Sequence, residues 1–91
     1  MYEKRNVKSK FVKQYSKAPQ KIKKAFNPRL DIFRKNPFYP LLNNHYLKGK
    51  YLSCQSINIT GDWRAIYSET IENKEKVVIF LALGTHSQLY R

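Results

Sequence analysis

Val77-Val78-Ile79-Phe80-Leu81-Ala82-Leu83, followed by Gly84-Thr85-His86, is the stretch on which the fold turns. Seven consecutive apolar residues are far short of the roughly 20 that a bilayer-crossing helix needs. They also show no polar stripe of helical period. A short run that is apolar on both faces fits a strand inside a sheet that is covered by helices on one side. Gly84 ends the run, so His86 leaves the strand from a rigid mount.

Two more strands precede it. Tyr51 to Ile59 and Trp63 to Thr70 have β character, and Thr60-Gly61 sits where a tight hairpin needs a residue free to take positive φ. Lys76 to Leu83 is then the third strand of a meander, reached through a looser polar turn over Ile71 to Glu75. Pro37, Pro40 and Asn43-Asn44 mark 37–49 as a connecting segment, with Leu41, Leu42 and Leu47 as anchors to the core.

The first half is helical. Ser9 is placed to cap a helix carrying Phe11, Val12 and Tyr15, which Pro19 ends while opening the next. Ile22, Ala25, Phe26, Leu30 and Phe33 recur near the 3.6-residue period. Pro28 falls inside that stripe, so either the helix kinks there or Asn27 caps a fresh turn. Residues 1–7 fit an edge strand with Tyr2 and Val7 as its apolar contacts. The expected order is β-α-α-β-β-β, an α+β fold in which a helical hairpin packs on a small, largely antiparallel sheet. No repeat or second domain breaks residues 1–91.

Charge is the second large feature. Eighteen Lys and Arg face six Asp and Glu, a formal +12, and before Pro37 only Glu3 and Asp31 are negative. Such a field attracts polyanions, because each phosphate neutralised releases condensed counterions. The bland alternative is that the lysines only solvate exposed helical faces. Cys54 is the sole cysteine, which leaves no internal disulfide and no cysteine cluster for zinc. The first residues lack the apolar core of a signal peptide, so the expected location is the cytoplasm.

Candidate chemistry is sparse. Asp62 and Arg64, two apart, project together on a strand while Trp63, Ala65 and Tyr67 project to the other face. That pair reads equally as a surface ion pair or as a catalytic carboxylate beside a phosphate-binding guanidinium. The chain has two histidines: His45 lies ahead of Lys48 and Lys50, and His86 ahead of Tyr90. If the two loops meet, a cationic, proton-transferring cluster results. That cluster suits RNA cleavage by the 2′-hydroxyl, which needs a base, an acid and a cation for the phosphorane. Trp63, Tyr51 and Tyr90 offer stacking faces for unpaired bases. Glycine-rich phosphate loops, nucleophile elbows and paired zinc histidines are missing.

Together, His45-Tyr46-Leu47-Lys48-Gly49, the segment from Ser56 to Tyr67 with its Asp62-Trp63-Arg64, and Gly84-Thr85-His86 through Tyr90 resemble the RelE/ParE toxin superfamily. The similarity is greatest to its YafQ-like and RelE/StbE branch of type II toxin-antitoxin systems. The resemblance implies an mRNA interferase that cuts messenger RNA on the ribosome, without metal or organic cofactor. A small cognate antitoxin silences such a toxin, and operator DNA is met only through the antitoxin complex. It further implies that His86 is the principal catalytic residue, with Arg64, Asp62, His45 and Tyr90 assisting, and that Lys48, Lys50, Trp63 and Asn58 contact RNA. Asn58 stands where YafQ-like toxins have a histidine, and Ala82 where they have an arginine before Gly-Thr-His. Two alternatives remain: a ParE-like gyrase-poisoning toxin, and a basic nucleic-acid-binding module that has lost catalysis.

Overall fold

A computed structural model describes residues 4–90. In chain order it contains β1 (Lys4–Val7), α1 (Ser9–Lys17), α2 (Gln20–Lys35), β2 (His45–Tyr46), β3 (Gln55–Thr60), β4 (Trp63–Glu72), β5 (Glu75–Thr85) and a single helical turn, α3 (His86–Leu89). The sheet order is β1-β5-β4-β3-β2. β1 pairs with β5 in parallel and the other neighbours are antiparallel. The expected α+β arrangement is present, with β5 inside the sheet between β1 and β4. Tyr2 lies outside the described residues, and Val7 is 51% exposed.

The helices form because each presents one apolar stripe to the sheet. α1 contributes Phe11, and α2 contributes Ile22, Phe26, Leu30 and Phe33, all buried. Against them stand Ile57, Ile59, Ala65, Tyr67, Val78, Phe80 and Leu83. Pro28 does not break α2, which runs through it. Burial of four large side chains, at about 1.5–3 kcal/mol each, outweighs the roughly 3 kcal/mol that an interior proline costs. Ser9 is not the cap of α1. Lys8 holds that position, and its ammonium, which can only donate, makes no cap bond; its N–H is bound to the Phe80 carbonyl (3.0 Å), so the strand runs directly into the helix.

The connection from α2 to β3 contains two 3₁₀ turns, Pro40–Leu42 and Gly49–Tyr51, and the two-residue strand β2. Leu42 and Leu47 are buried anchors, but Leu41 is 47% exposed. β3 starts later than Tyr51 because Gly49 and Ser53 adopt positive φ and curl the chain over the sheet. Gly61 does take positive φ in the β3–β4 turn. The β4–β5 turn is tighter than expected: Asn73 and Lys74 both have positive φ, the backbone of a two-residue hairpin.

The face of the sheet away from the helices has its own small core. Leu47, Tyr51, Ile66, Ala82 and Leu89 are buried together, with Cys54, Leu81 and Tyr90 packed against them. α3 and the 47–54 loop therefore cover the same end of the sheet.

Candidate active site

α3 begins as soon as β5 ends, and its start is fixed by a reciprocal cap. Gln88 N–H donates to Thr85 Oγ1 (3.2 Å), while Thr85 N–H donates to Gln88 Oε1 (2.9 Å). The His86 N–H donates to the Asp62 carbonyl (3.1 Å), tying the turn to the β3–β4 hairpin. Leu89 is buried beneath it. Three independent attachments thus hold the exposed His86 side chain in place.

The ring of His86 lies 4.7 Å from that of Tyr90, and Tyr90 meets Tyr51 edge-on at 5.9 Å. Burial pushes the Tyr90 hydroxyl above its ordinary range; the Arg64 guanidinium opposes that rise and Tyr51 adds to it. Tyr90 is therefore a neutral donor at neutral pH, close enough to Arg64 to feel its charge. Arg64 stands opposite Asn58 in the β3–β4 register, and its Nη1 donates to Asn58 Oδ1. Asn58, Arg64, Tyr90 and His86 thus come together on the face away from the long helices.

The structural elements that place these groups are shared with known toxins. Over residues 2–91 the chain matches the family model described as YafQ, bacterial toxin of type II toxin-antitoxin system. The chain belongs to the YafQ toxin family. Its fold is similar to YafQ from E. coli, at 17% identity and TM-score 0.77 with both chains fully covered. It is also similar to the archaeal RelE-RelB complex from Pyrococcus horikoshii, at 24% identity and TM-score 0.70 over 97% of this chain and 99% of that one. A conserved hypothetical protein from Helicobacter pylori shares 28% identity at TM-score 0.63, over 96% of this chain and 98% of its own. No curated protein sequence is a significant match.

Within this YafQ-family fold, the two positions that the sequence resemblance singles out, Ala82 and Asn58, have plain structural settings. Ala82 is fully buried in the small core under α3, where a long cationic side chain has no room. Arg64, on the neighbouring strand paired through Ile66↔Ala82 and Arg64↔Gly84, presents its guanidinium on the face away from the long helices. Asn58 supplies no titratable proton; its amide oxygen orients the guanidinium.

Other expected residues sit apart. Asp62 lies in the turn before β4, is exposed, and makes no ion pair with a described residue; its contribution to the site is its main-chain carbonyl. Trp63 is on the opposite face from Arg64, half-buried against the helix-side core. His45 is on β2, three strands from β5 and about 14 Å across the sheet, so the two histidines do not meet. Its Nδ1–H donates to the Asn43 carbonyl (2.7 Å). Tyr51 is buried and packs rather than offering a stacking face. Lys50 Nζ lies 5.4 Å from the Tyr51 ring and Lys10 Nζ, from α1, lies 6.0 Å from it.

Lys10 and Gln14 carry no signal in composition or spacing that marks them for this end of the sheet. Gln88 carried a readable signal, since Thr85-His86-Ser87-Gln88 has the capping-box spacing. Among the described residues no group of three or more His, Cys, Asp or Glu side chains is placed to hold a metal ion. No described helix is long and apolar enough to cross a membrane.

Proposed function

We propose that this type II toxin is an mRNA interferase, an endoribonuclease that arrests translation by cleaving messenger RNA on the ribosome. The observation that carries the reading is the Asn58-oriented Arg64 opening onto the His86–Tyr90 pair on one face. Arg64 grips the scissile phosphate and stabilises the charge that builds on it. His86 transfers a proton at the same phosphate. The 2′-oxygen bonds to phosphorus as its proton leaves, the bond from phosphorus to the 5′-oxygen breaks, and that oxygen takes a proton. The products are a 2′,3′-cyclic phosphate and a 5′-hydroxyl.

Tyr90, kept neutral by burial, donates a hydrogen bond to the phosphate. Asp62 positions His86 through its main-chain carbonyl. His45, Lys48 and Lys50 lie on exposed flanking segments and attract RNA backbone, and Trp63 offers a stacking face. The net charge of +12 suits an acidic antitoxin as the cognate partner in the cytoplasm, and operator DNA is reached through that complex.

The test is expression of wild type, His86→Ala and Arg64→Ala in growing cells, with primer extension on cellular mRNA. Both variants are expected to fold, to lose cleavage and to spare translation. Arrest that persists in both without cut mRNA would refute the nuclease reading and favour a ParE-like poison.

A further inference from the structure

Across β5 from the Arg64 face lies a cleft of about 320 Å³ lined by Gln14, Lys17, Trp63, Leu83 and Gln88. That volume falls at the low end of small-molecule sites. Its origin is local. β1 pairs with β5 only as far as Phe80, so the Leu83 N–H lacks a strand partner, and Gln14 Oε1 from α1 accepts it at 2.8 Å. Gln88 Oε1 is likewise engaged by the Thr85 N–H.

Both bonds decide which way the amides point. A main-chain N–H can only donate, so each side-chain oxygen must face it and each Nε2 must face away. Neither Nε2 has a bonding partner among the described residues. The cleft therefore combines the half-buried Trp63 ring, two amide donors and the Lys17 ammonium, with no acidic side chain among its lining residues.

We infer that this cleft binds one unpaired RNA base, and that it favours a base with neighbouring acceptors, guanine above all, over adenine. Guanine presents O6 and N7 as two acceptors on one edge, whereas adenine replaces O6 with an amino donor that would oppose the amides. The indole supplies a stacking wall. Lys10, Gln14 and Lys17 recur at i, i+4 and i+7 on α1 and so share one helical face. Lys10 reaches the Tyr51 ring beside Tyr90, and Lys17 reaches the cleft. A cationic track thereby leads from the His86 turn to the base site. The inference rests on the ribonuclease reading only for the identity of the natural ligand.

Trp63 is the sole tryptophan in the chain, so stacking reports directly as quenching of its fluorescence. The wild-type protein is titrated with 2′-O-methyl tetranucleotides, which cannot be cleaved, carrying one guanine, uracil or adenine among abasic positions. Guanine is expected to quench at about tenfold lower concentration than adenine, with uracil between them. Gln14→Glu and Gln88→Glu keep the oxygen that accepts Leu83 N–H or Thr85 N–H but replace the amide donors with acceptors, and each should erase the preference. Gln20→Glu, the same charge change on an exposed position of α2, should keep it. Absence of quenching, or a preference that both glutamates leave intact, overturns the inference. Base-selective quenching by a protein that cuts no RNA would leave the base site standing and remove the ribonuclease reading alone.

Discussion

Gly84→Ala tests whether the His86 turn is held as the structure implies. Gly84 has ordinary backbone geometry, but a Cβ there would lie 3.0 Å from Gln88 Oε1, 3.4 Å from Gln88 Cβ and 3.5 Å from Leu89 Cδ2. Gln88 Oε1 cannot simply swing aside, because it accepts the Thr85 N–H at 2.9 Å. Relief requires the turn to retreat by about 0.4 Å, which would stretch the His86 N–H bond to the Asp62 carbonyl from 3.1 Å to the edge of hydrogen-bond range. Losing the cap and weakening that bond costs about 1–2 kcal/mol, or about 5–15 °C in Tm for a domain of this size.

Activity should fall further than stability. Small displacements of a proton-transfer group cost up to about 100-fold in rate, so RNA cleavage by Gly84→Ala is expected to drop about 10- to 100-fold while most molecules remain folded at 25 °C. The assay pairs mRNA cleavage in a translating extract with thermal melting by circular dichroism. Gly84→Ala with Gln88→Ala should recover part of the melting temperature, since removal of Oε1 relieves the clash, giving a coupling of about 1 kcal/mol. Wild-type cleavage in Gly84→Ala, or strictly additive losses in the pair, would refute the reasoning.

Lys74→Gly should stabilise the protein by about 0.5–1 kcal/mol, because Lys74 occupies a left-handed conformation that glycine adopts without steric penalty; urea titration checks it, and a loss of stability would count against the strained turn. Tyr67 gives a pH prediction. It is fully buried, its hydroxyl accepts from Asn44 (2.7 Å) and Gln55 (2.9 Å), and burial raises its pKa far above the ordinary value. The unfolded chain releases this proton near pH 10 and the folded chain does not. This contribution is therefore intact below pH 10 and lost above it, at up to about 1.4 kcal/mol per pH unit. Tyr67→Phe should be about 1–2 kcal/mol less stable at neutral pH and show a shallower alkaline decline; parallel decline in both proteins between pH 10 and 11.5 would refute this.

The helices and the meander were legible because burial imposes periodicity. Ile22, Phe26, Leu30 and Phe33 kept their spacing through Pro28, and the apolar run of β5 announced a strand with neighbours on both sides. What was hidden had no periodicity to show. β2 is two residues long, and its pairing of His45 with Ser56 depends on where the 47–54 loop curls. The tight β4–β5 turn was disguised by Lys74, a residue that turn chemistry disfavours at positive φ. Within the site, period-two alternation correctly placed Trp63 and Arg64 on opposite faces. It failed for Asp62, because the strand begins one residue later and the aspartate belongs to the turn.

The decisive feature that alternation alone could not supply is one extra residue in β5. Val78 and Phe80 face the helices, so strict alternation would send Ala82 and Gly84 there too. Instead the register passes from Tyr67↔Phe80 to Ile66↔Ala82, leaving Leu81 as a bulge that reverses the faces beyond it. Leu83 joins the helix-side core while Ala82 joins the small core under α3. Under strict alternation Leu83 would turn away from Phe11 and Phe26, and the turn carrying His86 would leave β5 from the opposite face, away from Arg64 and Asn58. The bulge also leaves the Leu83 main chain at the edge where Gln14 binds it. One inserted residue therefore sets both the face that Arg64 shares with the His86–Tyr90 turn and the cleft on the other side of β5.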